Sequence, residues 1–146
     1  MAEVHAQAHI TAPPERVWDR LTDFECYGQW NATHTGFPKG VPDAPAKGES
    51  FQENMRLMGF PAEVTWTVEE CEAPRVLSLS GNGPMGVALR QVYRLVPGAD
   101  GGTDVAVHSS FTGAAVSLMA SKLENAGTSA LAQSLSRLAD VVRASA

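Results

Sequence analysis

Cysteine is scarce in this chain. Cys26 and Cys71 are the only two, too few for a disulfide framework or a metal-ligand cluster, and we expect free thiols in a reducing cytoplasm. Basic residues are also few, eleven against sixteen acidic ones, for a net charge of −5. Nucleic acids and anionic membranes are both gripped by clustered Lys and Arg, so neither is an expected partner. No apolar run approaches the length needed to span a bilayer. The start, Met1-Ala2-Glu3-Val4-His5, lacks the basic-then-apolar pattern of a secretory signal. A cytoplasmic protein with no membrane insertion is the expectation.

Catalytic signatures are missing as well. There is no H-E-x-x-H, C-x-x-C or G-x-S-x-G, and His5, His9, His34 and His108 are scattered. On one strand His5 and His9 share a face but stand about 13 Å apart, too far to hold one ion unaided, so no metal is expected. Gly81-Asn82-Gly83-Pro84-Met85-Gly86 spells G-x-G-x-x-G after a strand. That fingerprint needs a helix to follow, so that backbone N–H groups meet a pyrophosphate. Here an alternating strand follows instead, and the run reads as a hairpin turn. No cofactor is expected. Asn31-Ala32-Thr33 has the form of a glycosylation acceptor, which carries no weight without a secretory signal.

What is present is the material of a globular fold: 44% apolar and 18% charged residues in a chain of 146. Without an internal repeat or low-complexity linker, residues 1–146 read as one domain with a sizeable core. Glu3 to Thr11 alternates Val4, Ala6, Ala8 and Ile10 with His5, Gln7, His9 and Thr11, the period of a half-buried strand. Pro13, Pro14 and Glu15 then open a short helix carrying Val17, Trp18 and Leu21, and a second short helix is expected over Phe24 to Trp30. Six glycines and prolines between Asn31 and Gly48 permit at most one short exposed strand. Five strand-like runs follow: Glu49 to Met58, Ala62 to Cys71, Arg75 to Ser80, Val87 to Val96 and Thr103 to Phe111. With short turns and no helices between them, they form an antiparallel meander. A single long helix is expected from Ala114 to Ala144, its apolar residues at helical spacing from Met119 to Val142. Gly127, Thr128 and Ser129 are poor helix formers and predict a bend or a thinly packed point there.

Alternation assigns the faces. Arg90 and Arg94 mark the outer side of their strand, which turns Val87, Leu89, Gln91, Tyr93 and Leu95 inward. By the same logic Val64, Trp66 and Val68 point in, as do Val105, Val107, Ser109 and Phe111. Phe51, Glu53, Met55 and Leu57 alternate together, which places a carboxylate under the concave surface. A buried carboxylate is costly unless paired or hydrated. Two explanations stand: a wet cavity, or a register one residue off.

Certain segments carry a resemblance over nearly the whole chain. They are Ala12-Pro13-Pro14-Glu15-Arg16-Val17-Trp18, Asp23 to Trp30, Trp66 to Leu77, Tyr93-Arg94-Leu95-Val96-Pro97 and Gly102-Thr103-Asp104-Val105. The chain resembles the START-like, birch-pollen-allergen-type superfamily, and within it the bacterial SRPBCC subgroup of polyketide cyclase/dehydrase and lipid-transport proteins. The resemblance implies an α+β helix-grip fold: a curved antiparallel sheet of six or seven strands around the long C-terminal helix. It also implies an internal apolar cavity and a small hydrophobic molecule as partner, lipid or polyketide-like. A carrier or sensor needs only the cavity, lined by Glu53, Met55, Leu57, Trp66, Leu79, Gln91, Tyr93, Ser109, Phe111, Met119 and Leu123. A cyclase or dehydratase needs an acid/base pair inside it, for which Glu53, Tyr93 and His34 are the candidates. His34 stands at the start of the glycine- and proline-rich stretch, where family members open their pocket, and reads either as an acid/base group at the mouth or as a surface loop histidine. The Gly81-Asn82-Gly83-Pro84 segment and the chain length are similar to small actinobacterial proteins named as toxins of toxin–antitoxin pairs, which adds a toxin-like regulatory role.

Overall fold

A computed structural model describes residues 1–144. Strand β1 (Ala2–Ile10) leads into helix α1 (Pro14–Leu21), a one-turn 3-10 segment and helix α2 (Tyr27–Trp30). Strand β2 (His34–Gly36) is the one short strand of the breaker-rich stretch. The meander then runs through β3 (Ser50–Leu57), β4 (Phe60–Glu72), β5 (Val76–Asn82), β6 (Ala88–Pro97) and β7 (Thr103–Thr112). Helices α3 (Ala114–Ser117) and α4 (Ala120–Ala144) finish the chain. The seven strands form one antiparallel sheet in the order β1-β7-β6-β5-β4-β3-β2. It curls around α4, which lies across β1, and α1 and α2 close the remaining side. This is the expected helix-grip architecture.

The faces follow the alternation. Arg90 and Arg94 are exposed while Tyr93 and Leu95 are buried; Val105 and Val107 are buried while Asp104 and His108 are exposed. A bulge between Val68 and Glu70 shifts the β4–β5 register and adds to the curl of the sheet.

The C-terminal helix departs from expectation in one way: it is interrupted at Leu118 and Met119, between α3 and α4. Through Gly127, Thr128 and Ser129 it continues as helix. Gly127 is buried, and a Cβ there would stand 3.1 Å from a Val4 methyl. The missing side chain lets α4 lie against β1, a gain in approach that outweighs the weak helix propensity.

The two ends of the molecule are packed differently. At the end where α1 and α2 sit, Ile10, Val17, Leu21, Leu95, Val105, Leu135, Leu138 and Val142 are each at most 3% exposed and belong to one core. Arg16 fastens that end by donating to the Val142 carbonyl at 2.9 Å, in the last turn of α4. The opposite end, where the β3–β4 and β5–β6 hairpins turn, is hollow.

On the outer face, His9 of β1 is clamped to the β6–β7 turn. Its Nδ1 meets Asp104 at 2.8 Å and its Nε2 meets Asp100 at 2.9 Å. The hydrogen bonds to Asp104 and then Asp100 raise the His9 pKa above its ordinary 6.5. A histidine whose pKa rises on folding stabilises the protein fully below the unfolded value, and that stabilisation fades as pH climbs through the folded one. The difference in melting temperature between wild type and His9→Gln is therefore expected to be largest at about pH 6 and to shrink above neutrality. A pH-independent difference in thermal melts would show that the clamp does not carry charge.

Candidate functional site

The hollow end encloses a cavity of about 350 Å³. Met55, Leu57, Ala62 and Val64 of the β3–β4 hairpin form one wall, and Val87, Leu89, Gln91 and Tyr93 of β6 form another. Ser109 and Phe111 of β7, Val4 of β1, and Met119, Leu123, Gly127, Ala130 and Leu131 of the C-terminal helix complete it. The space exists because small residues stand where the solid end carries Leu and Val. Gly127, Ala130 and Ser134 fall on one stripe of α4, at helical spacings of three and four, and Ser109 and Ala62 of the sheet also line the space.

The rim is apolar and open. Met85 is 82% exposed and Phe60 65%, yet both residues also line the cavity. Met58 and Met85, at the tips of the two hairpins, hold φ of 55° and 59°, a region that costs a non-glycine residue on the order of 1 kcal/mol. Four of the five methionines, Met55, Met58, Met85 and Met119, line this cavity. Unbranched thioether side chains repack around differently shaped guests at low cost.

Of the residues expected at the site, Met55, Leu57, Gln91, Tyr93, Ser109, Phe111, Met119 and Leu123 line the cavity. Glu53, Trp66 and Leu79 do not; they are 1%, 2% and 1% exposed and lie behind its wall. Leu79 belongs to the solid core. The Trp66 ring lies over Gly81, its partner across the β4–β5 pairing, where a Cβ would stand 2.8 Å from the indole.

Glu53 resolves differently from either explanation offered for it. It faces inward with the expected register, and both its carboxyl oxygens meet protein groups. Its Oε1 accepts the Trp66 indole N–H at 2.8 Å, and its Oε2 meets His34 Nδ1 at 2.7 Å. His34 is accordingly neither a surface loop residue nor a group at the mouth. Its side chain is 7% exposed and packs edge-on to Tyr27 and against Phe37, with ring centroids 5.1 and 4.5 Å away. Strand β2 pairs with β3 and so carries His34 to Glu53. The pairing of these two residues, 19 positions apart, has no local signal in the sequence.

Two phenols adjoin this buried group, Tyr27 packed on His34 and Tyr93, which lines the cavity. Burial, and next the neighbouring Tyr93, push the Tyr27 pKa well above its ordinary range. Burial, and next the nearby Glu53, raise that of Tyr93. Tyr93 therefore presents a neutral hydroxyl, which accepts from Gln91 Nε2.

Asn31, Thr33 and Ser134 also line the cavity, and Tyr27 packs on His34, none of them having been singled out. Asn31 Oδ1 accepts from the Thr33 backbone and hydroxyl, and Ser134 Oγ accepts from Ala32 N–H and donates to the Ala130 carbonyl. Their only sequence signal is polarity on an otherwise apolar face. Among the described residues, no group of three His, Cys, Asp or Glu gathers to hold a metal ion, and no helix is long and apolar enough to cross a membrane. The G-x-G-x-x-G run is the β5–β6 hairpin turn, with Asn82 pairing Ala88 across it.

Comparison with known proteins places this architecture. The family described as "Polyketide cyclase / dehydrase and lipid transport" matches residues 1–143. Toxin Rv0910 of Mycobacterium tuberculosis is 25% identical over 97 residues, which span 66% of this chain and 67% of that protein. A conserved protein from Geobacillus kaustophilus superposes with a TM-score of 0.77 at 15% identity, covering 98% of this chain and 96% of its own. TTHA0849 from Thermus thermophilus superposes with a TM-score of 0.76 at 18% identity, covering 99% of each chain. These two structural likenesses concern the fold.

Proposed function

The chain belongs to the polyketide cyclase / dehydrase and lipid transport family, and from that premise we propose that it binds a small hydrophobic molecule in the cavity, as a carrier or sensor. The observation that carries this reading is the cavity itself, about 350 Å³, walled mainly by apolar side chains and open through an apolar rim. Pockets of this size and character suit small ligands. A dry core of the same fold would have filled the space, because protein interiors tolerate few voids larger than a water molecule.

The cyclase or dehydratase reading finds less support. It needs an acid/base pair facing the guest, and Glu53 and His34 spend their facing atoms on each other behind the wall. Tyr93 alone of the three candidates reaches the cavity, as a hydroxyl whose pKa is raised. A toxin-like regulatory role draws on the similarity to Toxin Rv0910; growth arrest on expression in a host lacking any partner gene would support it.

Two measurements test the carrier reading. Native mass spectrometry after gentle purification is expected to show a bound apolar molecule. Ala130→Trp, which places an indole in the cavity, is expected to weaken binding of a fluorescent apolar reporter at least about a hundredfold while far-UV circular dichroism stays unchanged. Undiminished reporter binding by the folded variant, with no molecule retained by the wild type, would sink it.

A further inference from the structure

We infer that the guest is uncharged and carries a hydroxyl or carbonyl oxygen, which Ser109 engages on the floor of the cavity. The inference rests on the carrier reading and specifies the chemistry of its ligand.

Two observations lead to it. Among the described residues, no Asp, Glu, Lys, Arg or His lines the cavity. The one titratable group there, Tyr93, has its pKa raised by burial, so it stays neutral. A carboxylate or phosphate drawn inside would lose its hydration with no opposite charge to meet it, at a marked loss of affinity. The net charge of −5 adds no long-range attraction for an anion.

The second observation is an orphan. Ser109 is 4% exposed, lines the cavity, and its Oγ has no hydrogen-bond partner in the protein. A buried hydroxyl left unpaired is costly, and such groups are rare unless something else meets them. Among the described residues, the other two buried side-chain polar atoms without a protein partner belong to Trp30 and Gln52, neither of which lines the cavity. Neighbouring polar atoms have partners: Asn31 Oδ1 in Thr33, and Ser134 Oγ in Ala32 and Ala130. Gln91 is the cross-strand partner of Ser109 and gives one of its Nε2 hydrogens to Tyr93. Ser109 is thus a lining residue whose hydroxyl no described protein group satisfies, with apolar walls around it. One polar oxygen on an otherwise apolar molecule complements that arrangement.

The test is competition for a fluorescent apolar reporter by ligands of equal chain length: 1-decanol, 2-decanone, decane and, at pH 8, decanoate. The alcohol and ketone are expected to compete at least about tenfold better than decanoate, and about three- to tenfold better than decane. Ser109→Ala, checked for an unchanged thermal melt, is expected to erase the advantage over decane. Decanoate binding as well as decanol overturns the inference and leaves the carrier reading intact. So does an alcohol advantage that survives in Ser109→Ala. Failure of the reporter and of all four ligands to bind overturns both.

Discussion

Glu53→Ala is expected to lower the free energy of unfolding by about 3–5 kcal/mol, the usual cost of removing one partner of a buried polar pair. Glu53 is 1% exposed and occupies both its carboxyl oxygens, one on the Trp66 indole N–H at 2.8 Å and one on His34 Nδ1 at 2.7 Å. Truncation strands both nitrogens in a place with little access to water and opens a void beside Trp66. Glu53→Gln keeps the shape and one acceptor for Trp66, so its loss is expected to be about half as large or less. Urea unfolding followed by tryptophan fluorescence reads both. A loss below about 1 kcal/mol for the alanine variant would mean that Glu53 pairs only incidentally. Because Glu53 lies behind the wall and not on it, variants that remain folded should keep their affinity for the reporter. An active-site acid would behave in the opposite way, sparing stability and abolishing turnover.

Gly81→Ala is the second large effect, expected at about 2 kcal/mol of destabilisation. An alanine normally gains some stability over glycine in a strand by restricting the unfolded chain. Here its Cβ would meet the Trp66 ring at 2.8 Å and a Val64 methyl at the same distance. The ring cannot easily give way, since its N–H is tied to Glu53 and the residue is 2% exposed. Overpacking of this kind costs about 1–3 kcal/mol. The two positions should therefore couple. In a Glu53→Ala background Trp66 is released, so Gly81→Ala is expected to cost measurably less than it does alone, by at least about 0.5 kcal/mol. Strict additivity in a double-mutant cycle would show that the tether does not hold the ring.

Both predictions concern a support built behind the cavity. His34, Glu53 and Trp66 bind β2, β3 and β4 together, with Tyr27 packed on His34 and Tyr93 lining the cavity nearby. The carrier reading uses this as a rigid back wall. The adaptable part of the site is then its rim, where exposed Met85 and Phe60 border the opening.

Much of this molecule is local in origin, and the amino-acid order determined it unaided. A period of two is a property of each strand by itself, so the arginines of β6 identified its outer face, and Ser109 and Gln91 could be placed inward together. The two prolines opening α1 and the turn after Gly81 are equally local, which is why the dinucleotide fingerprint could be set aside without coordinates. The tertiary structure alone decided which inward residues pack solidly and which border a space. Leu79 and Leu89 look alike in a strand pattern, yet one fills the core and the other lines the cavity. The difference is the sum of side-chain volumes brought together from strands and helices distant in the chain. Gly127 shows the same limit: by propensity it is a weak point in a helix, and in the fold it is the place where α4 meets β1. Glu53 shows it most clearly. Its burial was legible from alternation, but the partners that make burial tolerable come from β2 and β4, and only the pairing of those strands brings them within hydrogen-bonding distance.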